Sequence, residues 1–391
     1  MKKALAVVLA ASMTASLAAC SGGSTETATE APAEAPEATE AEAGDTEAAE
    51  EAGNEAAASD LKVGVFYYDY SDVYISSVRT NMDAMLDEMG VEYTNYDAAG
   101  SQPSQTDQVN TALNAGANLL IVNIVETSTS DPAQQICDSA KAAGIPVIFF
   151  NREVADDVVN SYENCAFVGT NAPDAGHMQG EMIGNYLLEN YDAVDLNGDG
   201  TISYVMFKGQ EGNAEAEART QYSVEDANKI LTEAGKPELA YYDANAATQY
   251  LVDTNGKWSA QAANDYMNTI LGAYTEDNGN MVELVIANND EMAKGAISSL
   301  QNAGYNNGEG STTIPVFGVD ATPDAQTLIA EGKMTASVMQ DAEGMASTIT
   351  TLVQNVADGA ELMDNTDSFV VDETVDKIRV PYQEYDASSA S

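Results

Sequence analysis

Nine residues, Asp195 to Ser203, set oxygen-bearing groups at alternate positions around a glycine: Asp195, Asn197, Asp199, Thr201 and Ser203. Hard oxygen donors at that spacing wrap a calcium ion. One ligand is missing, because the twelfth loop position, where an EF-hand places a bidentate Glu, is Met206 in the apolar run Ile202 to Phe207. The closing carboxylate has to come from elsewhere. That run reads as a strand and not as a second helix, which makes the loop a structural clip on an α/β domain instead of a calcium switch. The alternative is an Asx/Gly turn without metal.

A second set of polar residues recurs just after apolar runs. Asp72 and Tyr74 follow the first, Asn151 follows Phe149 and Phe150, and Asn213, Glu215 and Arg219 follow Ile202 to Phe207. Asn289 and Asp290 follow Ile286 and Ala287, and Asp320 follows Val319. In open parallel sheets ligands bind at the carboxyl ends of the strands, so two such edges facing each other would enclose a polar cavity. Planar side chains that donate and accept in pairs suit adjacent hydroxyls on a sugar, and Tyr74 and Trp258 could stack on its apolar face. Each polar residue taken alone reads as a helix N-cap or turn, Asp290 and Asp320 most of all. Trp258 alone reads as a helix-start residue packed on the second lobe.

The elements that must position these residues are short apolar strands alternating with amphipathic helices from Leu61 onward. The strands are expected at Val63 to Tyr68, Val91 to Tyr96, Leu119 to Val125, Val147 to Phe150 and Phe167 to Gly169. A second series runs Ile202 to Phe207, Leu239 to Tyr242, Leu284 to Ala287, Val316 to Val319 and Ser337 to Met339. Strands separated by helices build parallel sheets, and the rhythm breaks near Thr170 to Asn190. The expectation is an α/β chain of two Rossmann-like lobes joined by three hinge strands. The first lobe takes residues 61–170 and 341–366, the second 171–340 and 367–391, with crossings near Thr170, Gln340 and Asp367.

Lys2 and Lys3 precede an apolar stretch, Ala4 to Ala19, that ends in Leu17-Ala18-Ala19-Cys20. Residues 1–20 therefore read as a lipoprotein signal cut before Cys20, which would carry the lipid and anchor the protein outside the cytoplasm. A plain signal peptide with an incidental cysteine is the alternative. Residues 21–60 hold twelve acids and no aromatic residue, the composition of a disordered acidic tether. Without those acids and the two leader lysines, 13 bases face 51 acids in residues 61–391, a net charge of −38. Such a field excludes nucleic acid as a partner. Cys137 and Cys165 could pair outside the cytoplasm or stay as buried thiols. Neither looks catalytic, since the lone histidine, His177, has no partner in view.

Several of these segments, in register, resemble the bacterial galactose/glucose-binding proteins, the soluble receptors of sugar ABC transporters that in some bacteria also feed chemotaxis. The likeness runs from Leu61 to about Asp386. It rests on Phe149-Phe150-Asn151-Arg152-Glu153, Val168-Gly169-Thr170, Asp195-Leu196-Asn197-Gly198-Asp199-Gly200 and Ala216-Glu217-Ala218-Arg219. Ala287-Asn288-Asn289-Asp290, Val316-Phe317-Gly318-Val319-Asp320 and Arg379-Val380-Pro381-Tyr382 continue it in family order. The resemblance implies the type I periplasmic binding protein fold, and it supplies the missing calcium ligand as Glu283. Ser203 stands where the family commonly has Gln, which leaves room for a water in the metal shell. Sugar contacts fall on Asp72, Asn151, Arg219, Asn289 and Asp320, with Trp258 and Tyr74 as stacking faces, Tyr74 replacing a Phe.

Three positions depart from that pattern: Asn213 for His, Glu215 for Asp and Gln340 for Asn. Each keeps hydrogen-bonding capacity but changes reach or charge, which bears on ligand choice. The segment Ala240 to Gly256 is also longer than in the family. A glycoside hydrolase would need two of Asp72, Glu215 and Asp320 across one bond with one of them kept protonated, and nothing in the sequence marks an apolar pocket for that acid. A sugar-responsive repressor is removed by the leader and by the lack of a basic helix-turn-helix. The expected function is a lipid-anchored receptor that closes on a monosaccharide and delivers it to the permease of an ABC importer. The alternative is a sugar-sensing input protein for a chemoreceptor or other membrane sensor.

Overall fold

The computed structural model describes residues 60–389. The signal, Cys20 and all but the last residue of the tether lie outside them.

The chain begins β1 (Lys62–Tyr67), α1 (Val73–Glu88), β2 (Glu92–Asp97), α2 (Gln102–Asn114), β3 (Leu119–Val122), α3 (Asp131–Ala143), β4 (Val147–Phe150), α4 (Asp156–Val159) and β5 (Cys165–Gly169). It continues through α5 (Ala172–Val194), β6 (Ser203–Lys208), α6 (Ala214–Glu233), β7 (Ala240–Tyr241), β8 (Leu251–Val252), α7 (Ala260–Leu271), β9 (Leu284–Ala287), α8 (Asp290–Asn302), β10 (Val316–Asp320), α9 (Pro323–Ala330) and β11 (Ala336–Gln340). Last come α10 (Ala342–Ala357), β12 (Val370–Val371), β13 (Lys377–Arg379) and β14 (Tyr382–Asp386).

Two sheets result, ordered β12-β13-β5-β4-β3-β1-β2 and β14-β11-β10-β9-β6-β7, with β8 also pairing β6. All pairings are parallel except β12 with β13 and β14 with β11. The central strands are apolar throughout because helices cover both faces: every residue of β3, β4 and β9 is buried. Residues of α1 and α10 pack on one face of the first sheet, those of α2 and α3 on the other. Helices α7 to α9 and α5 with α6 do the same for the second sheet.

The polypeptide passes between sheets three times. The first two crossings, after β5 at Thr170 and after β11 at Gln340, match the expectation. The third does not. Residues 370–379, expected in the second lobe, form β12 and β13 on the edge of the first sheet, where Lys377, Ile378 and Arg379 pair with Phe167, Val168 and Gly169. The last crossing is therefore at Val380 and Pro381, not at Asp367, and of the C-terminal segment it is β14 that joins the second sheet.

Candidate functional site

Helices α1, α6 and α8 start where β1, β6 and β9 end, and each opens on a side-chain cap. Oδ1 of Asp72 accepts from the amide of Ile75 at 2.9 Å, that of Asn213 from Ala216 at 2.9 Å and that of Asn289 from Met292 at 3.0 Å. Capping satisfies an orphan amide of the first turn and fixes the side chain. In the two asparagines the bound oxygen leaves the Nδ2 amide as the group available to the cleft. The cap reading and the ligand reading thus hold at once. The other oxygen of Asp72 accepts from the Tyr68 hydroxyl at 2.5 Å. Burial raises the Asp72 carboxyl, and these two hydrogen bonds pull against it.

Asn151 sits just past β4 with φ of 62°, a left-handed conformation that Asn tolerates. Its Oδ1 accepts at 3.2 Å from Nδ2 of the fully buried Asn123, which also donates to the Phe150 carbonyl at 3.1 Å. The Asn123 oxygen in turn accepts the Tyr68 amide at 3.3 Å. One buried amide thereby sets both Tyr68 and Asn151. Beside them the Arg152 guanidinium lies 4.2 Å over the Tyr68 ring and donates to the Val125 carbonyl at 2.9 Å and across the lobes to Gln210 Oε1 at 2.6 Å.

On the second lobe Arg219 comes from α6, which packs closely on α5. A Cβ on Gly176 would stand 2.5 Å from the Ala218 carbonyl oxygen, so glycine there admits the helix that carries Arg219. Nη1 donates to the Asn288 carbonyl at 2.9 Å, and Nη2 to Gln340 Oε1 at 3.2 Å and to the Tyr382 hydroxyl at 3.0 Å. Burial raises the Glu215 carboxyl and holds Asp320 well above the carboxylate range, with Arg219 the leading influence in the opposite direction on both.

Asp320 has φ of 114°, in a region a side chain rarely adopts. Its turn is pinned from below by Asp290, whose oxygens accept from Ser337 Oγ and the Thr322 amide, each at 2.7 Å. The Ser337 oxygen accepts the Ala321 amide at 3.0 Å. Asp290 is thus a support for the turn and not a cleft residue. Trp258, with φ of 56°, lays its indole on Gly209 at the end of β6, where an added Cβ would meet ring atoms at 2.1 Å.

All ten sequence-derived candidates line one cleft between the lobes, the position in which two-lobed α/β proteins bind small molecules. Asp72, Tyr74 and Asn151 come from the first lobe, Asn213, Glu215, Arg219, Trp258, Asn289 and Asp320 from the second, and Gln340 from a crossing. Tyr68 and Arg152, absent from the sequence-derived set, complete the lining. Several buried polar atoms here have no hydrogen-bond partner within the described residues: both Glu215 oxygens, Nε of Arg219 and of Arg152, and the indole Nε1 of Trp258. Unpaired buried groups cost roughly 1–3 kcal/mol each, so their convergence on one cavity marks a surface built for a polar occupant. The lobes also touch directly, through Arg152 with Gln210 and Lys257 Nζ with Asp69 at 3.1 Å.

The oxygen-rich loop lies between α5 and β6. Glu283, fully buried just before β9, spans it: Oε1 accepts the Asn197 amide at 3.1 Å and Oε2 the Ser203 amide at 3.0 Å. Asp195 accepts from the amides of Asp199 at 3.1 Å and Gly200 at 2.9 Å, and Asp199 from Thr201 at 2.8 Å. Ser203 Oγ donates to the Met281 carbonyl. Among the described residues no three His, Cys, Asp or Glu side chains converge as a ready metal cluster, since these carboxylates are turned to the loop's own amides. The donors are all oxygen, which fits calcium chemically.

Cys137 and Cys165 are buried free thiols, and the neighbouring Cys165 pulls the Cys137 thiol down to about 7. His177 does have a partner, Asp226 Oδ2 at 2.6 Å, and stacks on Tyr222 between α5 and α6.

Comparison with known proteins agrees with this geometry. The periplasmic binding protein domain family matches residues 63–361. The D-galactose/methyl-galactoside binding periplasmic protein of Haemophilus influenzae is 33% identical over 83% of this chain and 89% of its own length. The chain belongs to the periplasmic binding protein domain family. That is a family of solute-binding proteins, not of enzymes. A xylitol-binding protein of Mycolicibacterium smegmatis is 26% identical over 74% of the chain and 70% of its own length. An ABC transporter solute-binding protein of Bacillus halodurans, solved with myo-inositol, superposes with a TM-score of 0.64 at 25% identity, covering 85% of this chain and 96% of that one. The two-lobed architecture is the type I fold of that family. Among the described residues no helix is long and apolar enough to cross a membrane.

Proposed function

We propose that this protein captures a monosaccharide of the galactose/glucose type between its lobes and presents it, outside the cytoplasm, to the permease of an ABC importer, tethered by lipid on Cys20. The supporting observation is the convergence of unpartnered Glu215, Arg219 and Arg152 atoms with the asparagine amides on one cleft. Vicinal hydroxyls donate to the Glu215 oxygens and accept from guanidinium and amide groups, and each such pair removes a desolvated orphan. Because the contacts come from both lobes, a bound sugar favours the closed arrangement by its differential affinity, and that closed shape is what a membrane partner reads.

Calorimetry against hexoses, pentoses and methyl hexosides tests the reading. One sugar per chain is expected, and no heat with any of them would overturn it. Changing Asn213→His, Glu215→Asp and Gln340→Asn together should move preference toward glucose or galactose, each altered pairing being worth about tenfold. Unchanged relative affinities across the panel would deny these three positions a role in selection.

The same reading places a structural calcium in the Asp195 to Ser203 loop, held by Asp195, Asn197, Asp199, Thr201, Ser203 and Glu283. When bound, the ion crosslinks the end of α5 to the start of β9 and offsets the buried charge of Glu283, whose carboxyl burial otherwise raises. Chelation should lower the melting temperature by roughly 5 °C at saturating calcium. Glu283→Gln should melt lower and no longer respond to chelator. An equal response in the variant would exclude Glu283 as a ligand.

A further inference from the structure

Arg219 does more than face the cleft. Its Nη2 donates to the Tyr382 oxygen, and the same Tyr382 hydroxyl shares a second hydrogen bond with the Thr170 hydroxyl at 2.7 Å, in which either oxygen can donate. Thr170 ends the first crossing, Gln340 the second, and Tyr382 follows the third. One buried chain of hydrogen bonds thus joins the guanidinium to all three hinge strands, with Thr170 fully buried and Arg219, Gln340 and Tyr382 nearly so. Within it the Tyr382–Thr170 bond links an element of one sheet to an element of the other. Thr170 is itself held to the first sheet by Arg379, whose Nη1 donates to the Thr170 carbonyl at 2.8 Å.

We propose that Tyr382 is a positioning residue for ligand capture, one that ties the ligand-facing guanidinium of Arg219 to the hinge so that contact with the sugar and the interlobe angle are set together. This rests on the proposed sugar-binding reading. Rotation about the crossings moves Thr170 against β14, and the geometry that satisfies Tyr382 with both partners is the one in which Arg219 is anchored facing the cleft. A ligand that fixes Arg219 then holds the hinge closed, and a closed hinge pre-orients Arg219, the two directions of one coupling.

The test compares sugar affinity, by calorimetry with the tightest hexose or pentose of the panel, in the wild type, Tyr382→Phe, Thr170→Val, Thr170→Ser and the Tyr382→Phe/Thr170→Val double variant. Tyr382→Phe keeps the ring and removes the hydroxyl, so affinity should fall roughly tenfold, and Thr170→Val by a similar factor. Thr170→Ser, which retains the hydroxyl, should recover most of the loss. The double variant should be no more than about twofold weaker than Tyr382→Phe alone, because both changes break one bond, whereas independent packing losses would multiply. Should Tyr382→Phe fail to fold, Thr170→Val against Thr170→Ser carries the comparison. Wild-type affinity in both Tyr382→Phe and Thr170→Val, or full multiplication in the double variant, overturns the coupling while leaving sugar binding intact. A wild type that binds no sugar of the panel overturns the functional reading and the coupling with it.

Discussion

Replacing Arg219 by alanine should weaken sugar binding by about 10²- to 10³-fold, the largest effect expected of any single cleft substitution. Breaking a buried charge arrangement by removing one partner costs about 3–5 kcal/mol, and each 1.4 kcal/mol is tenfold. Here the loss strands three acceptors at once, the Asn288 carbonyl, Gln340 Oε1 and the Tyr382 oxygen. It also removes the leading influence that lowers the Glu215 and Asp320 carboxyls. Both would rise further and hold protons in the folded protein at pH values where the unfolded chain has released them. A folded state that binds more protons loses stability as pH rises, from ordinary carboxylate values upward. The melting temperature of Arg219→Ala should therefore climb more than that of the wild type when the pH is lowered from 7 to 5. Calorimetric affinity within tenfold of wild type, or parallel pH profiles of melting, would contradict this placement of Arg219.

The cleft residues were legible because one rule, polar groups at the carboxyl ends of parallel strands, combines local pattern with topology, and Asp72, Asn213 and Asn289 obey it as helix caps. Tyr68 was missed because it continues the apolar run of β1 and reads as core. Arg152 was visible in a motif, but its place over the Tyr68 ring and its bond to Gln210 are tertiary relations between distant segments. Asn123 carries no local signal beyond a polar residue after Val122. The third crossing was misplaced for a different reason. β12 and β13 are short, Val370 and Val371 are exposed, and Lys377 is buried only because Glu153, Asp156 and the Val154 carbonyl surround its ammonium. Such strands exist because β5 offers an edge, so no periodicity in residues 367–380 could announce them.

The three hinge strands and the direct interlobe bonds act on the same equilibrium from two sides. Arg152 with Gln210 and Lys257 with Asp69 favour closure wherever the lobes meet, and Lys257 is half-exposed, so its pair contributes little. The decisive free energy has to come from cleft groups that are buried and, among the described residues, unpaired: atoms of Glu215, Arg219, Arg152, Trp258 and Gln340. Selectivity for a polar ligand follows, because an apolar occupant of equal size would leave those atoms orphaned.

Gly209→Ala should reduce sugar affinity roughly ten- to a hundredfold without touching any ligand-contacting residue. The Cβ it adds would fall 2.1 Å from Cδ2 and Cε3 and 2.6 Å from Cε2 of Trp258, at the fused edge of the indole, so the ring as a whole has to shift. Overpacking of this kind costs about 1–3 kcal/mol and is resolved by moving the softer partner. The backbone at Gly209 is held by its amide to Asn288 Oδ1 at 3.1 Å, so the indole is the part that moves, into the cleft. There it takes the space of a pyranose and gives up the face on which an apolar sugar surface would stack, a contact worth about 0.5–1.5 kcal/mol beyond area. Trp258 is the chain's one tryptophan, so its emission reports this place alone. Sugar should shift or quench that emission in the wild type. In Gly209→Ala the unliganded spectrum should already differ, and the response to sugar should shrink. Trp258→Phe should keep part of the affinity and Trp258→Ala little of it, since area more than the indole N–H carries the stacking. Trp258→Ala should also make Gly209→Ala nearly silent, because the added methyl then has nothing to displace. Undiminished binding in Trp258→Ala, with an emission that ignores a sugar seen by calorimetry, would instead make the tryptophan a packing residue of the second lobe.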